Sequence, residues 1–171
     1  MLSALWSAKS VAVVGATERI SAMGRLPLEY LQKYGYKGEI FPINPKGEKI
    51  FGFNTYKNIK DVGKPIDLAL IMVPYELVLQ AVKDCVQSKV KVAVVMSSGF
   101  AEASDAGAKA QELLVNVANQ SGMRLVGPNC IGSAGGEVKL TATFSPVFSG
   151  ASTYLSAGNI ALVSQSGALG Y

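Results

Sequence analysis

The sequence predicts an α/β protein built on a doubly wound parallel sheet, and three observations carry that expectation. Short, continuously apolar runs bounded by turn residues read as parallel strands covered on both faces. Segments with apolar residues at helical spacing lie between them. The 171 residues are 49% hydrophobic with only 8% aromatic and 18 glycines, a composition that lets helices, strands and a ligand approach closely.

Taken in order, the first strand spans residues 11–14 and runs into a loop, 15–24, that leads into a helix. Further strands are expected at 40–43, 68–73, 92–96 and 124–126. Between them, a helix over 75–86 places Leu77, Val78, Ala81, Val82, Cys85 and Val86 on one side, and a helix over 106–118 does the same with Leu113, Leu114 and Val117. After Gly127, Pro128 and Asn129 the alternation is lost in a stretch rich in glycine, serine and threonine. A sixth strand is expected at 159–163, with a helix beginning in SQSGALGY. A boundary near residue 150 divides the chain into a domain over 1–150 and the start of a second over 151–171. In such a sheet ligands gather at the carboxyl ends of the strands.

Composition narrows the function. The net charge of +4 comes from scattered lysines and arginines, which fits an anionic small molecule before nucleic acid, and no nucleic-acid motif is present. No apolar run reaches the roughly 18 residues of a membrane span, and the N-terminus lacks the basic region of a signal peptide. Cys85 and Cys130 have no metal or redox spacing, so a reducing, cytoplasmic setting is expected. Cys85 reads as core; Cys130 has no histidine to activate it. The complete absence of histidine removes the commonest general base and metal ligand, and neither a catalytic residue nor a metal site is expected in this chain.

The strand-end loops are GATERISAMG, NPKG, VPY, SSGF and GPN. The first holds Gly15 and Gly24 but lacks the G-x-G-x-x-G spacing of a dinucleotide fingerprint. Its backbone amides, with Thr17, Arg19 and Ser21, are candidate donors to a phosphate; the plain alternative is a structural β–α turn. Lys46 stands where a nicotinamide-binding domain places an acidic residue for the ribose, which argues against NAD and for a phosphate. Pro74 stops strand pairing, and Ser97 and Ser98 offer hydroxyls at the next strand end, where ordinary caps and turns are the alternative. Ser164, Ser166 and Gly167 form another candidate anion site, while the missing histidine argues against a hydrolase.

In order along the chain, VAVVGATERISAMGR, GEIFPINPKGEKIFGFNTYKNIKDV, DLALIMVPYELVLQAV, AVVMSSGFAE, RLVGPNCIG, LTATFSP and IALVSQSGALGY resemble the CoA-binding domain of NDP-forming acyl-CoA synthetases. That group includes ADP-forming acetyl-CoA synthetase and the α subunit of succinyl-CoA synthetase. The resemblance implies a Rossmann-like CoA-binding domain followed by a flavodoxin-like, succinyl-CoA-synthetase-like domain.

It also implies residue roles. Gly15, Ala16, Thr17, Arg19, Ser21 and Gly24 would wrap the CoA phosphates, and Lys46 would stand at the adenosine phosphate. Val73 and Pro74 would flank the CoA, Met96, Ser97 and Ser98 would follow the pantetheine, and Asn129 would lie near the arriving thiol. Ser164, Ser166 and Gly167 would receive the phosphate of a phosphohistidine. Such enzymes interconvert acid, ATP and CoA with acyl-CoA, ADP and phosphate. The implied partners are CoA or acyl-CoA and the remaining domains or subunit, which supply the histidine and the nucleotide-grasping fold beyond residue 171; homo-oligomerisation is left open. The other reading is a non-catalytic regulatory module that binds CoA or acetyl-CoA, for example one fused to a lysine acetyltransferase.

Overall fold

The computed structural model describes residues 2–150 and 157–167. Strands β1 (Ser10–Val14), β2 (Glu39–Ile43), β3 (Leu68–Ile71), β4 (Val92–Val95) and β5 (Arg124–Val126) form one parallel sheet in the order β2-β1-β3-β4-β5. Their alternation divides the core into two layers. Ala12, Phe41, Ala69, Ile71, Ala93 and Val95 face one side; Val11, Val13, Leu68, Leu70, Val92 and Val94 face the other. Because β1, β3 and β4 are buried on both faces, they are apolar throughout apart from Ser10 at the start of β1, as parallel strands under helices must be.

Helices α3 (Tyr75–Gln87) and α4 (Asp105–Ser121) cover the first side through Val78, Val82, Cys85, Leu114 and Ala118. Ser104 caps α4 by accepting the Gly107 N–H at 3.1 Å, and Gly122 ends it in a left-handed turn. The second side is covered by α1 (Ala4–Ser7), by α2 (Leu26–Lys33) through Leu28 and Leu31, and by an antiparallel hairpin of β6 (Gly132–Gly135) and β7 (Leu140–Thr143) through Leu140 and Ala142. A short α5 (Val147–Gly150) is tied back to α2 by Tyr34, whose hydroxyl donates to the Phe148 carbonyl at 2.6 Å.

Several details differ from the sequence reading. The stretch after Asn129 is not irregular: it holds the β6–β7 hairpin. Its glycines hide it, because Gly132 sits against the Ala142 carbonyl where a Cβ would approach to 2.2 Å. Leu77 and Leu113 are 55% and 54% exposed, so the buried stripes of α3 and α4 are narrower than their apolar patterns. β3 ends at Ile71, short of Val73. Residues 159–163 form no strand; Ile160 and Val163 are 97% and 95% exposed, with no neighbouring strand among the described residues to complete their hydrogen bonds. Half of the SQSGALGY stretch where a helix is expected, residues 168–171, lies outside the described residues. No helix among the described residues is long and apolar enough to cross a membrane.

Two carboxylates, Asp84 buried and Asp67 half-buried, tie the surface connections to this core. Asp84 of α3 accepts from Asn58 Nδ2 at 2.8 Å and Gln80 Nε2 at 2.9 Å and pairs with Lys60 Nζ at 3.1 Å. Asp67 accepts the Lys9 N–H at 2.8 Å and pairs with Lys91 Nζ at 2.7 Å.

Candidate functional site

The strand order reverses direction at β1: the chain leaves it outward to β2 and returns on its other side to β3. Crevices form at such switch points, above the carboxyl ends of the strands. Here the crevice is a cleft of about 820 Å³, inside the range of about 300–1,000 Å³ typical of small-molecule sites.

One wall is the loop of residues 15–24. Gly15 has φ +93°, and a Cβ there would lie 2.4 Å from the Met72 carbonyl oxygen, so a side chain would drive β1 and β3 apart. Gly24 in turn packs onto the Gly15 carbonyl, where a Cβ would come to 2.1 Å. The N–H groups of Gly15 and Ala16 both donate to the Ile43 carbonyl, at 3.1 and 3.2 Å. These amides, expected to face a phosphate, are committed to the fold, and the glycines serve strand convergence. Further along, Thr17 Oγ1 accepts the Arg19 N–H at 3.1 Å, and Thr17, Arg19 and Ser21 line the cleft.

The opposite wall follows β2. Asn44 Nδ2 donates to the Ala16 carbonyl at 2.7 Å, and Asn44 Oδ1 accepts the Lys46 N–H at 2.9 Å. One side chain thereby joins both walls and shapes the turn that presents Lys46. Lys49 and Ile50 continue this wall. Among the described residues, Arg19, Lys46 and Lys49 have no carboxylate within 4.0 Å, although Glu18 and Glu48 also line the cleft.

The floor consists of the ends of β3 and β4. Ser97 Oγ donates to the Val73 carbonyl at 2.6 Å, and the Ser97 carbonyl accepts the Asn129 N–H at 3.0 Å. Its hydroxyl proton is therefore spent on joining strand ends. Val73, Pro74, Leu77 and Met96 give this part an apolar surface. Since β2 is two strand spacings from β3 and three from β4, the cationic turn and the apolar floor stand about 10–14 Å apart across the sheet. The cleft suits an elongated ligand, anionic at one end and uncharged at the other.

Of the residues singled out from sequence, Gly15, Thr17, Arg19, Ser21, Gly24, Lys46, Val73, Pro74, Met96, Ser97 and Ser98 line this cleft. Ala16 is fully buried beneath it, and Asn129 stands behind Ser97 without lining it. Ser164, Ser166 and Gly167 lie in the exposed 157–167 segment away from the cleft lining, with the Ser166 N–H donating to Ser164 Oγ at 3.0 Å. Glu18, Asn44 and Lys49 were not singled out. The Asn-Pro-Lys-Gly turn signal pointed toward Asn44; nothing in sequence reveals which way Glu18 and Lys49 point. Cys130 Sγ accepts the Gly132 N–H at 3.4 Å, a local structural contact.

A doubly wound sheet with cations gathered at its switch point defines a domain of the class that binds phosphate-bearing small molecules. Within that class the chain belongs to the CoA binding domain family, whose model matches residues 9–136. It is 41% identical over 173 residues to the α subunit of acetate–CoA ligase [ADP-forming] I of Pyrococcus furiosus, covering 99% of this chain and 36% of the relative. It is 34% identical over 169 residues to the ADP-forming 4-hydroxybutyrate–CoA ligase of Nitrosopumilus maritimus, covering 98% and 23%. The solved dinucleotide forming acetyl-coenzyme A synthetase 1 of Ca. Korarchaeum cryptofilum, in complex with phosphate and ADP, matches with a TM-score of 0.89 and 39% identity, covering 99% of this chain and 35% of that one. The chain thus spans about a third or less of the length of these relatives.

Proposed function

We propose that this chain is the CoA-binding part of an ADP-forming acyl-CoA ligase, with residues 1–150 as the CoA domain and 151–171 as the start of a succinyl-CoA-synthetase-like domain. The observation that carries this reading is the polarity of the cleft. Its Arg19, Lys46 and Lys49 end suits the phosphates of CoA, and its Val73, Pro74 and Met96 end suits the pantetheine arm. Thr17, Arg19, Ser21 and Lys49 donate to the diphosphate, while Lys46 meets the 3′-phosphate as a charge-assisted donor. Ser98 meets the thiol end of the arm, and Asn129, bonded to the Ser97 carbonyl behind it, supports that strand end.

In this role the chain binds and aims a substrate and transfers no proton. The ligase interconverts acid, ATP and CoA with acyl-CoA, ADP and phosphate, and the phosphorylated histidine belongs to another domain, since this chain holds none. Ser164, Ser166 and Gly167 contribute the helix start that receives the histidine's phosphate. A reducing cytoplasm suits the two free thiols.

Calorimetric titration of the chain with CoA and with NAD tests the reading. Binding of CoA in preference to NAD supports it. Preference for NAD, or indifference to CoA by the folded chain, overturns it.

A further inference from the structure

Between the cleft walls lies a second connection that ligand binding alone does not explain. Residues 50–53 form a two-residue turn, with the Ile50 N–H donating to the Phe53 carbonyl at 3.2 Å and the Phe53 N–H to the Ile50 carbonyl at 2.9 Å. Its central residues, Phe51 and Gly52, have φ of 49° and 80°. Such turns demand positive φ at both positions and favour Asn-Gly or Gly-Gly; a bulky phenylalanine there is an outlier that the surroundings must enforce.

Those surroundings come from the opposite wall. Glu18 Oε1 accepts the Phe51 N–H, and Arg25 lies over the Phe51 ring, 5.0 Å from its centroid. Arg25 is itself fixed, with Nη1 donating to the Glu18 carbonyl at 2.8 Å and Nε to Glu29 at 2.9 Å. Backbone and ring of Phe51 are thus both gripped by the 18–25 segment. The grip acts directly on Lys49 and Ile50, the two residues before Phe51, and both line the cleft.

We propose that Glu18 is a positioning residue whose carboxylate clasps the Phe51 N–H, closing the 15–24 loop against the 50–53 turn and holding Lys49 toward an anionic ligand. The ligand half of this proposal rests on the CoA reading; the clasp stands on its own contacts. By its sign alone Glu18 opposes the ligand: a carboxylate in a cleft for a polyanion repels it. The two roles predict opposite outcomes. If charge dominates, removing Glu18 tightens CoA; if the clasp dominates, removal weakens it, and glutamine, which keeps the acceptor oxygen without the charge, restores it.

The experiment measures hydrogen exchange of the ligand-free chain and CoA titration for wild type, Glu18→Ala and Glu18→Gln. The expected result is about tenfold faster exchange at the Phe51 amide in Glu18→Ala with unchanged β1 and β3 amides, about tenfold weaker CoA binding, and recovery to within about threefold in Glu18→Gln. Unchanged Phe51 exchange overturns the clasp whether or not CoA binds. Equal or tighter CoA binding by Glu18→Ala, or equal weakening in both variants, overturns the positioning role. Failure of the wild-type chain to bind CoA overturns the functional reading and the positioning role together, leaving the exchange data to decide the clasp.

Discussion

Asn44 and Ala16 are joined by a 2.7 Å hydrogen bond from the Asn44 side-chain amide to the Ala16 carbonyl, a bridge between the loops that follow β2 and β1. The same Asn44 side chain accepts the Lys46 N–H, so the cationic turn and the first loop are placed by one residue. Replacing it with alanine removes both bonds. Asn44→Ala is expected to lower stability by about 1–2 kcal/mol and to weaken CoA by about tenfold, measured by urea unfolding and titration. Asn44→Asp should do no better, because its carboxylate would face the Ala16 carbonyl.

Gly15 answers to the sheet before it answers to a ligand. Its missing Cβ leaves the space taken by the Met72 carbonyl, and its φ of +93° disfavours any L side chain. Gly15→Ala is expected to destabilise the chain by more than about 2 kcal/mol, combining the left-handed penalty with the backbone collision. A Gly15→Ala chain that unfolds at the wild-type urea midpoint and only loses CoA would contradict this placement.

Acid should loosen the chain through Asp67 and Asp84. For Asp84, burial raises the pKa, but the bonds from Asn58, Gln80 and Lys60 outweigh it and hold the carboxyl below its ordinary value. For Asp67, burial is likewise outweighed by Lys91 and the Lys9 N–H. A carboxyl lowered in the folded state stabilises it above the unfolded pKa, about 3.9, and that contribution disappears as pH falls through the lower folded value. Thermal midpoints should therefore fall below about pH 4, with a shallower slope in Asp84→Asn. Parallel slopes for the variant and wild type would contradict the assignment.

The two thiols should differ sharply in reactivity. Cys85 is fully buried under the sheet, and burial, with the nearby Asp84 charge, pushes its thiol up to about 12. A thiol-reactive disulfide at neutral pH should modify Cys130 in the native chain and reach Cys85 only on unfolding. Native modification of both would show that α3 opens readily from the sheet.

Legibility of the fold followed the strength of the local signal. β1, β3 and β4 were plain because strands buried on both faces cannot alternate. The hairpin was hidden because Gly132 and Gly135 carry no apolar side chains, and Gly132 gains its place by close backbone approach. Leu77 and Leu113 followed the helical period yet face solvent, since period alone does not fix how wide a stripe the neighbours cover. In the cleft, chain-order reasoning found the strand ends, and with them Lys46, Pro74 and Ser98. It missed that the Gly15 and Ala16 amides are committed to Ile43. It also missed Glu18 and Lys49, whose roles depend on two loops meeting across β1.

If the cleft holds CoA with Lys46 at its 3′-phosphate, removing that one cation must separate CoA from its dephosphorylated form. The most direct measurement titrates wild type and Lys46→Ala with CoA and with dephospho-CoA at one salt concentration. The account predicts that the substitution weakens CoA by about 10- to 100-fold and dephospho-CoA by less than about threefold, as expected for one charge-assisted contact. Equal losses for the two ligands, or no CoA binding by wild type, would contradict it.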